Sequence, residues 1–393
     1  LKTMEAGKVP YATVMRRLTR YEYNYTMRDL LGVDTKAADA TRFFPADLNS
    51  HGFSNYGPAQ ALSDVQLQHY IKAARTYLDR ALVFGKQKPD IQKWLFKPKD
   101  LTHEKKNVGT VRYRVISADG KHLDIGHGKP SESGPTYPKG FAARGVPKDG
   151  LYRISVKATA VGRNHPYEPE LIPADLTQPL QMGLWHVPGP SYLAKRTSEG
   201  RVLVEVFDLA DNKPQTYEAT VWMPAGSSPF VHWINGIGAT KGPLQKIIQR
   251  YYPEAKRKTP YEVDRLKEAG LPVPKDALVQ KVWISDLYKG PRIRIFEMSI
   301  EGPFHDQWPP LSHQGIVGTE TNASNLNVEQ ALLKFASKAF RRPVKLEEIA
   351  QYIDYVKDQT IKGVAEDEAL KQALTAMLTS PRFLFLDEGG EDG

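Results

Sequence analysis

The chain runs to 393 residues, 40% of them apolar and 25% charged, and its 54 Lys and Arg against 45 Asp and Glu give a formal charge of +9. That length exceeds what one hydrophobic core usually serves and predicts two or three domains. The absence of cysteine excludes disulfides, thiolate metal sites and covalent haem attachment within the chain.

No apolar run approaches the roughly 20 residues that cross a bilayer. The basic residues are dispersed, and the densest stretch, 241–267, also carries Glu254, Glu262 and Asp264. A nucleic-acid surface would need a one-sided basic stripe with aromatics, so the charge reads as a solvated face.

From Val9 to about Trp94 the chain reads helical. Val14, Leu18, Tyr21, Tyr25, Met27, Leu30 and Leu31 recur at roughly helical spacing and predict a helix over about Tyr11 to Leu31, with Gly32 as its stop. Beyond Phe44 to Asp47 and Gly52 to Asn55, Ser63 is placed to cap a second helix with apolar positions Val65, Leu67, Ile71, Ala74, Leu78 and Leu82. The two are expected to pack together in an N-terminal helical domain, residues 1–105.

Between Val108 and Ile300 the period changes to two. In Leu151 to Ala160, Tyr152, Ile154, Val156 and Ala158 alternate with Arg153, Ser155, Lys157 and Thr159, which predicts a half-buried strand. Similar runs occur at Val111–Ile116, Leu180–Val187, Val202–Leu209, Thr216–Met223, Pro229–Asn235, Val282–Leu287 and Ile293–Ile300, divided by Gly, Pro and Asp-Asn turn signals. Strands without intervening helices predict a central antiparallel β-sandwich, jelly-roll-like, over residues 106–302. Residues 242–280 carry helical patterning and are read as an insertion at one end of it.

Residues 303–325, with the rigid Trp308-Pro309-Pro310, form a connector. Asn327 and Gln330 then open a helix carrying Val328, Ala331, Leu332, Phe335 and Ala339, ended by Pro343. A second helix follows from Lys345, and a third carries Leu370, Ala373, Leu374, Met377 and Leu378. These predict a C-terminal three-helix bundle, residues 326–388, with an acidic, Gly-rich tail at 389–393. The fold class is therefore multidomain α+β.

No catalytic motif emerges. None of the ten histidines falls in a metal-ligand spacing, and the nearest cluster is His122, Asp124 and His127 in a Gly-rich loop. Asp208, Asp211 and Asn212 offer oxygen ligands between two strands, a calcium loop in one reading and a hairpin turn in the other. Trp185, His186, Trp222, Trp233 and Asn235 lie on predicted strands or their ends. They either present stacking faces and polar partners to carbohydrate or fill the sandwich core. Arg341, Arg342 and Arg382 either bind an anion or serve helix C-termini. No carboxylate pair stands out, and neither an acyl-transfer elbow nor a phosphate-binding glycine loop is present.

Six phrases occur in order: Arg17-Leu-Thr-Arg-Tyr-Glu-Tyr-Asn24 with Thr26-Met-Arg-Asp-Leu-Leu-Gly32, Phe44-Pro45, Gly52-Phe-Ser-Asn55, Ile300-Glu-Gly-Pro303 with Trp308-Pro-Pro310, Ala339-Phe-Arg-Arg-Pro343, and Ser380-Pro-Arg-Phe-Leu-Phe385. Together they resemble a family of planctomycete-type multidomain proteins of unknown function, in which helical domains and a sandwich often follow a cytochrome c domain. The resemblance implies a periplasmic or extracellular location and a carbohydrate-binding-like jelly roll, and it implies no known reaction. Haem c would sit only on a partner domain or chain. The polypeptide is expected to be one piece of a larger assembly, with a haem protein or a C-terminal companion fragment as partner. The function expected is an exported accessory or structural portion of a cytochrome-linked assembly whose sandwich contacts glycan or a protein partner. The alternative is a subunit of an oxidoreductase or polysaccharide-active enzyme whose redox centre lies elsewhere.

Overall fold

The structure, a computed structural model, describes residues 15–36, 39–42, 44–45, 63–101, 114–117, 119–126, 136, 138, 140–172, 174–187, 201–236, 246–247, 250–252, 266–272 and 288–387. In chain order its elements are β1 (Met15–Arg17), α1 (Arg20–Leu31), α2 (Asp64–Ala81), β2 (Gln92–Phe96), β3 (Arg114–Ile116), β4 (Leu123–Ile125), α3 (Phe141–Arg144), β5 (Gly150–Val161), β6 (Gln181–Val187), β7 (Val202–Asp208), β8 (Gln215–Met223), β9 (Ser228–Trp233), β10 (Arg292–Phe304), α4 (Leu311–Val317), α5 (Val328–Ala339), α6 (Leu346–Ile361), α7 (Glu366–Leu378), α8 (Pro381–Leu384) and β11 (Phe385–Asp387). The protein is mixed α and β, and every strand pair is antiparallel. No described helix is long and apolar enough to cross a membrane. Two compact units divide the chain, one made of Leu1–Lys88 with His305–Gly393 and the other of Pro89–Phe304.

In the helical unit, α1 starts later than its apolar spacing predicts. Thr19 Oγ1 accepts the Glu22 amide at 3.3 Å while the Glu22 carboxylate accepts the Thr19 amide at 2.8 Å, a reciprocal cap that fixes the helix start. The residues just before it, Met15–Arg17, pair instead with Phe385–Asp387. Gly32, at φ 66°, closes the helix in the left-handed region. Tyr23, Met27 and Leu31 are its buried face. Ser63 and Gln66 form the same reciprocal cap on α2, which buries Tyr70, Ala74, Tyr77, Leu78 and Ala81.

The helices expected as two domains at opposite ends of the sequence share one core, in which Tyr23, Tyr70 and Leu78 are clustered with Phe335, Leu374, Met377 and Phe383. Tyr23 meets Tyr70 edge-on at 4.8 Å and Phe383 at 5.9 Å. Across α2 and α7, Arg75 Nη1 donates to Glu368 at 2.6 Å, and Lys371 lies 3.4 Å from Asp79. His313 is fully enclosed in α4, a helix within the predicted connector. Its Nδ1 accepts the Val83 amide at 3.0 Å, which leaves Nε2 to donate to the Glu320 carbonyl at 2.7 Å.

The three arginines weighed as anion ligands hold this unit together. Arg341, at φ 59°, donates to the Phe383 carbonyl and lies 5.4 Å over its ring. Arg342 pairs with Glu348 at 2.6 Å, and Arg382 donates to the Glu348 carbonyl at 3.3 Å.

The second unit is built on β10, which pairs with β5 along one side and with β4 and then β2 along the other. With β3 beyond β4 and β8 beyond β5 they make a six-stranded sheet. A three-stranded sheet runs β7, β6, β9. Tyr152, Ile154, Val156, Ile295 and Met298 from the large sheet cluster in one core with Met182, Leu184, Val231 and Trp233 from the small one.

Residues 92–96 correct the helical reading of the N-terminal region. Trp94 and Phe96 both pack edge-on against Phe141, at 5.2 and 5.4 Å, while Lys93 and Leu95 alternate outward, a period of two that a five-residue strand can hide inside a longer apolar pattern. The predicted strand Val282–Leu287 and most of the 242–280 insertion lie outside the described residues, as does His127.

Because α1 and α2 bury their apolar faces against α7 and α8, residues 1–88 expressed without 305–393 are expected to give no cooperative thermal unfolding transition by circular dichroism. In the intact chain, Phe383→Ala is expected to cost about 3–5 kcal/mol in denaturant unfolding of this unit. A cooperative transition from residues 1–88 alone would contradict the shared core.

Candidate functional site

Directly paired residues of antiparallel strands point to the same face, so the register of the large sheet fixes what its outer face displays. β5 sends Tyr152, Ile154, Val156 and Ala158 inward; Leu151, Arg153, Ser155 and Lys157 therefore point out. Across the strands, Lys93, Glu301, Arg153 and Thr220 form one row. Leu95, Ser299, Ser155 and Glu218 form the next. Glu297, Lys157 and Thr216 form a third, which Lys97 joins by donating to Glu297 at 2.6 Å. At the other end Phe304, Leu151 and Trp222 face one another.

The middle of this face is hollowed into a cavity of about 210 Å³ lined by Lys93, Arg153, Ser155, Lys157, Thr216, Glu218, Glu297, Ser299 and Glu301. Every one of these side chains can hydrogen-bond. Ser155 donates to Glu218 at 2.6 Å, and Glu301 has Lys93 and Arg153 each at 3.9 Å. Pairs this exposed contribute at most about 1 kcal/mol, so they can open to a ligand at little cost. The Arg153 guanidinium lies 5.3 Å over the Phe304 ring, which ties the polar rows to the aromatic end. Trp222 is half-buried there.

The structure separates the residues that the sequence groups as carbohydrate ligands. Trp222 lies on the large sheet and borders the polar rows. Trp233 is 0% exposed in the core; its Nε1 donates to Asn235 Oδ1 at 3.0 Å. The same Oδ1 accepts the Gln181 amide at 2.8 Å, and Asn235 Nδ2 donates to the Pro179 carbonyl at 2.8 Å. Both residues are thus committed to holding the end of β9, and no face of the Trp233 ring is open for stacking.

Trp185 stacks on Phe230 with centroids 6.2 Å apart, and Arg201 lies 5.5 Å over the same Phe230 ring. Gly183 is required beside it, since a Cβ there would come within 2.6 Å of Trp185 Nε1 and 2.5 Å of Ile234. His186 is 0% exposed and neither ring nitrogen has a hydrogen-bond partner among the described residues. Burial pushes its pKa down to about 4, so it is a neutral core residue.

The calcium candidates take up other partners. Asp208 accepts from Gln181 Nε2 at 3.0 Å, and Asp211 pairs with Arg163 at 2.6 Å. Asn212 sits at φ 52° and its amide donates to the Ala160 carbonyl at 2.8 Å, the geometry of a turn. Among the described residues no three His, Asp or Glu side chains come together to hold a metal.

The outer-face set was invisible as a set in the sequence. Its one local signal was the polar alternation Arg153, Ser155, Lys157, whose partners lie more than 55 positions away on β2, β8 and β10.

Residues 16–83 match the family PSD3, described as protein of unknown function (DUF1587), and residues 327–388 match PSD5, described as protein of unknown function (DUF1595). No curated protein matches the chain. Both matched stretches belong to the helical unit, and the unit carrying the outer-face cavity lies outside them.

His186 supplies a pH prediction. Its pKa is lower in the folded chain than the ordinary value near 6.5, so the unfolded chain binds a proton that the fold refuses. Its contribution is intact above about pH 6.5 and is lost progressively down to about pH 4, by roughly 3 kcal/mol in all. In denaturant titrations of the β unit, His186→Leu is expected to flatten this slope relative to the parent. Equal slopes in both proteins would refute the assignment.

Proposed function

We propose that the Pro89–Phe304 unit is a glycan-binding module whose platform is the outer face of the six-stranded sheet. The observation that carries this is the register that sets the half-buried Trp222 and the Phe304 ring at one end of a cavity lined wholly by hydrogen-bonding side chains. A sugar presents an apolar C–H face and a rim of hydroxyls. It is matched by an aromatic ring beside alternating donors and acceptors. The carboxylates here have cation or hydroxyl partners, an arrangement suited to holding hydroxyls in place. A jelly-roll reading of this unit is supported by two antiparallel sheets that share one core.

For the chain as a whole the proposal is an exported accessory portion of a cytochrome-linked assembly. Support comes from the ordered phrases that resemble the planctomycete-type family and from the two matched families of unknown function at the two ends of the chain. With no cysteine in these 393 residues, any haem c of such an assembly sits on a partner domain or chain.

Affinity electrophoresis of the intact chain in gels cast with a panel of polysaccharides tests the module. At least one polymer is expected to retard the protein, and Trp222→Ala is expected to weaken that retardation about tenfold or more in dissociation constant. Migration unaffected by every polymer, or a Trp222→Ala variant that binds as the parent does, would overturn the proposal. Native mass spectrometry of the assembly from its source cells tests the rest: a haem-bearing companion is expected, and the chain travelling alone contradicts it.

A further inference from the structure

We infer that the glycan taken by this face is acidic, carrying carboxylate or sulfate groups; the inference rests on the platform proposed above. The outer face continues along β10 beyond the cavity. Arg294 pairs with Thr159 and Arg292 with Val161 in the register with β5, two and four positions past Lys157, so both lie on the outer side of the sheet, as does Asp124 opposite Arg294 on β4. Thr159 and Val161 are buried there, and Arg294 and Arg292 keep 25% and 21% of their side chains exposed.

One carboxylate there serves two guanidiniums. Arg294 donates through Nε to Asp124 Oδ1 at 2.8 Å and through Nη2 to Oδ2 at 2.9 Å, and Arg292 donates through Nε to Oδ2 at 2.7 Å. Arg292 Nη1 is fixed on the Tyr288 carbonyl at 2.6 Å. Arg294 Nη1 and Arg292 Nη2 have no hydrogen bond among the described residues, so each guanidinium is held rigidly with donors to spare. His122 Nε2 lies 3.9 Å from Asp124 Oδ2. It adds no charge at neutral pH, because burial lowers its pKa.

The cluster therefore has a surplus of one positive charge. In and beside the cavity, Lys93, Lys97, Arg153 and Lys157 stand against Glu218, Glu297 and Glu301, four positive charges against three negative ones. Lys157, exposed in the row next to Arg294, has no ion pair among the described residues. The face thus carries an excess of two positive charges, one at the arginine pair and one at the cavity rows, with Lys157 and Arg294 at diagonally adjacent positions roughly 7–8 Å apart. A held guanidinium fork matches a planar carboxylate or a sulfate, and a polymer that carries such a group along its length can meet Arg294 and Lys157 together while a sugar ring rests on Trp222. A neutral glycan would leave that excess charge unbalanced.

Three gels decide it: polygalacturonate, a sulfated galactan, and a neutral mannan, each run with the intact chain. Retardation is expected in one or both acidic gels, to weaken as salt rises from roughly 0.05 to 0.5 M, and to be absent in mannan. Which acidic gel retards the protein identifies carboxylate or sulfate as the recognised group. Lys157→Gln, at an exposed position where folding is undisturbed, and Arg294→Gln are each expected to weaken acidic binding about tenfold. Retardation by mannan alone, insensitive to salt, overturns the inference while the platform stands. Acidic retardation unchanged in both variants overturns it too, because the binding would then belong to the basic chain at large. No retardation in any gel of the wider panel removes the platform itself.

Discussion

The pairing of Gly150–Val161 with Arg292–Phe304 joins two strands more than 130 positions apart, and the rest of the β unit is placed by it. β10 is long enough, at 13 residues, to take β5 along one side and two shorter strands, β4 and β2, end to end along the other. A slip of one residue in this register would turn Tyr152, Ile154 and Val156 outward and Arg153, Ser155 and Lys157 into the core. The cost of burying those charges unpaired is several kcal/mol apiece, so the hydrophobic pattern enforces the register. The same register composes the outer face, and the cavity is thus a by-product of the constraint that builds the core. The ladder is uneven between Ile295 and Glu297, and one extra residue is taken up there. Phe296 is that residue, which keeps Arg294 and Glu297 on the same side despite their odd separation.

How far this could be read from the chain depended on whether each signal was local. The alternation in Leu151–Ala160 named both faces of β5, and the strands at 181–187, 202–208, 215–223 and 228–233 lie where turn residues bound the apolar runs. The Ser63 and Asn327 caps mark the starts of α2 and α5. What failed were short elements whose pairing is set from afar. β2 holds five residues, and only its ladder with Met298–Gly302 makes it a strand. β1 exists only because Phe385–Asp387 runs beside it, and the apolar spacing of 11–31 reads through it as helix. The tryptophans show the same limit at a site. Trp185, Trp222 and Trp233 have similar local surroundings, yet one stacks on Phe230, one borders a cavity and one lies in the core. Strand neighbours made those choices, and sequence spacing does not contain them.

The helical unit obeys a different constraint. α1 and α2 are too short a pair to bury Tyr23, Tyr70 and Leu78 between themselves, and the partners that finish the job come from more than 240 residues downstream. Closing so long a loop costs only slightly more than closing a moderate one, since the entropy grows with the logarithm of its length. What matters is that the intervening residues Pro89–Phe304 form a compact unit of their own, which leaves less chain to be ordered by the closure. The β1 and β11 ribbon, with the Leu18 amide donating to the Leu384 carbonyl at 2.8 Å, fastens the two ends beside that core. The Arg341 guanidinium over Phe383 lies at the same junction. The two matched stretches, 16–83 and 327–388, are therefore halves of one structural object.

Charge on the outer face can be weighed against the same energetics. An exposed ion pair is nearly neutral in stability, so a fold gains little by lining a sheet with Lys, Arg and Glu where Thr and Ser would serve. Burial changes the balance at Asp124, which is 13% exposed and takes three donors from two arginines at 2.7–2.9 Å. Those bonds order two long side chains that would otherwise keep their rotamer freedom. An ordered guanidinium has already met the entropic cost that a ligand would have to meet on binding. Such preorganisation satisfies a largely buried carboxylate, and it also leaves an excess positive charge, because the second arginine adds a like charge beside the first. It has value for a ligand that brings the missing negative charge, and that asymmetry is the physical ground for reading the arginine pair as part of a binding face.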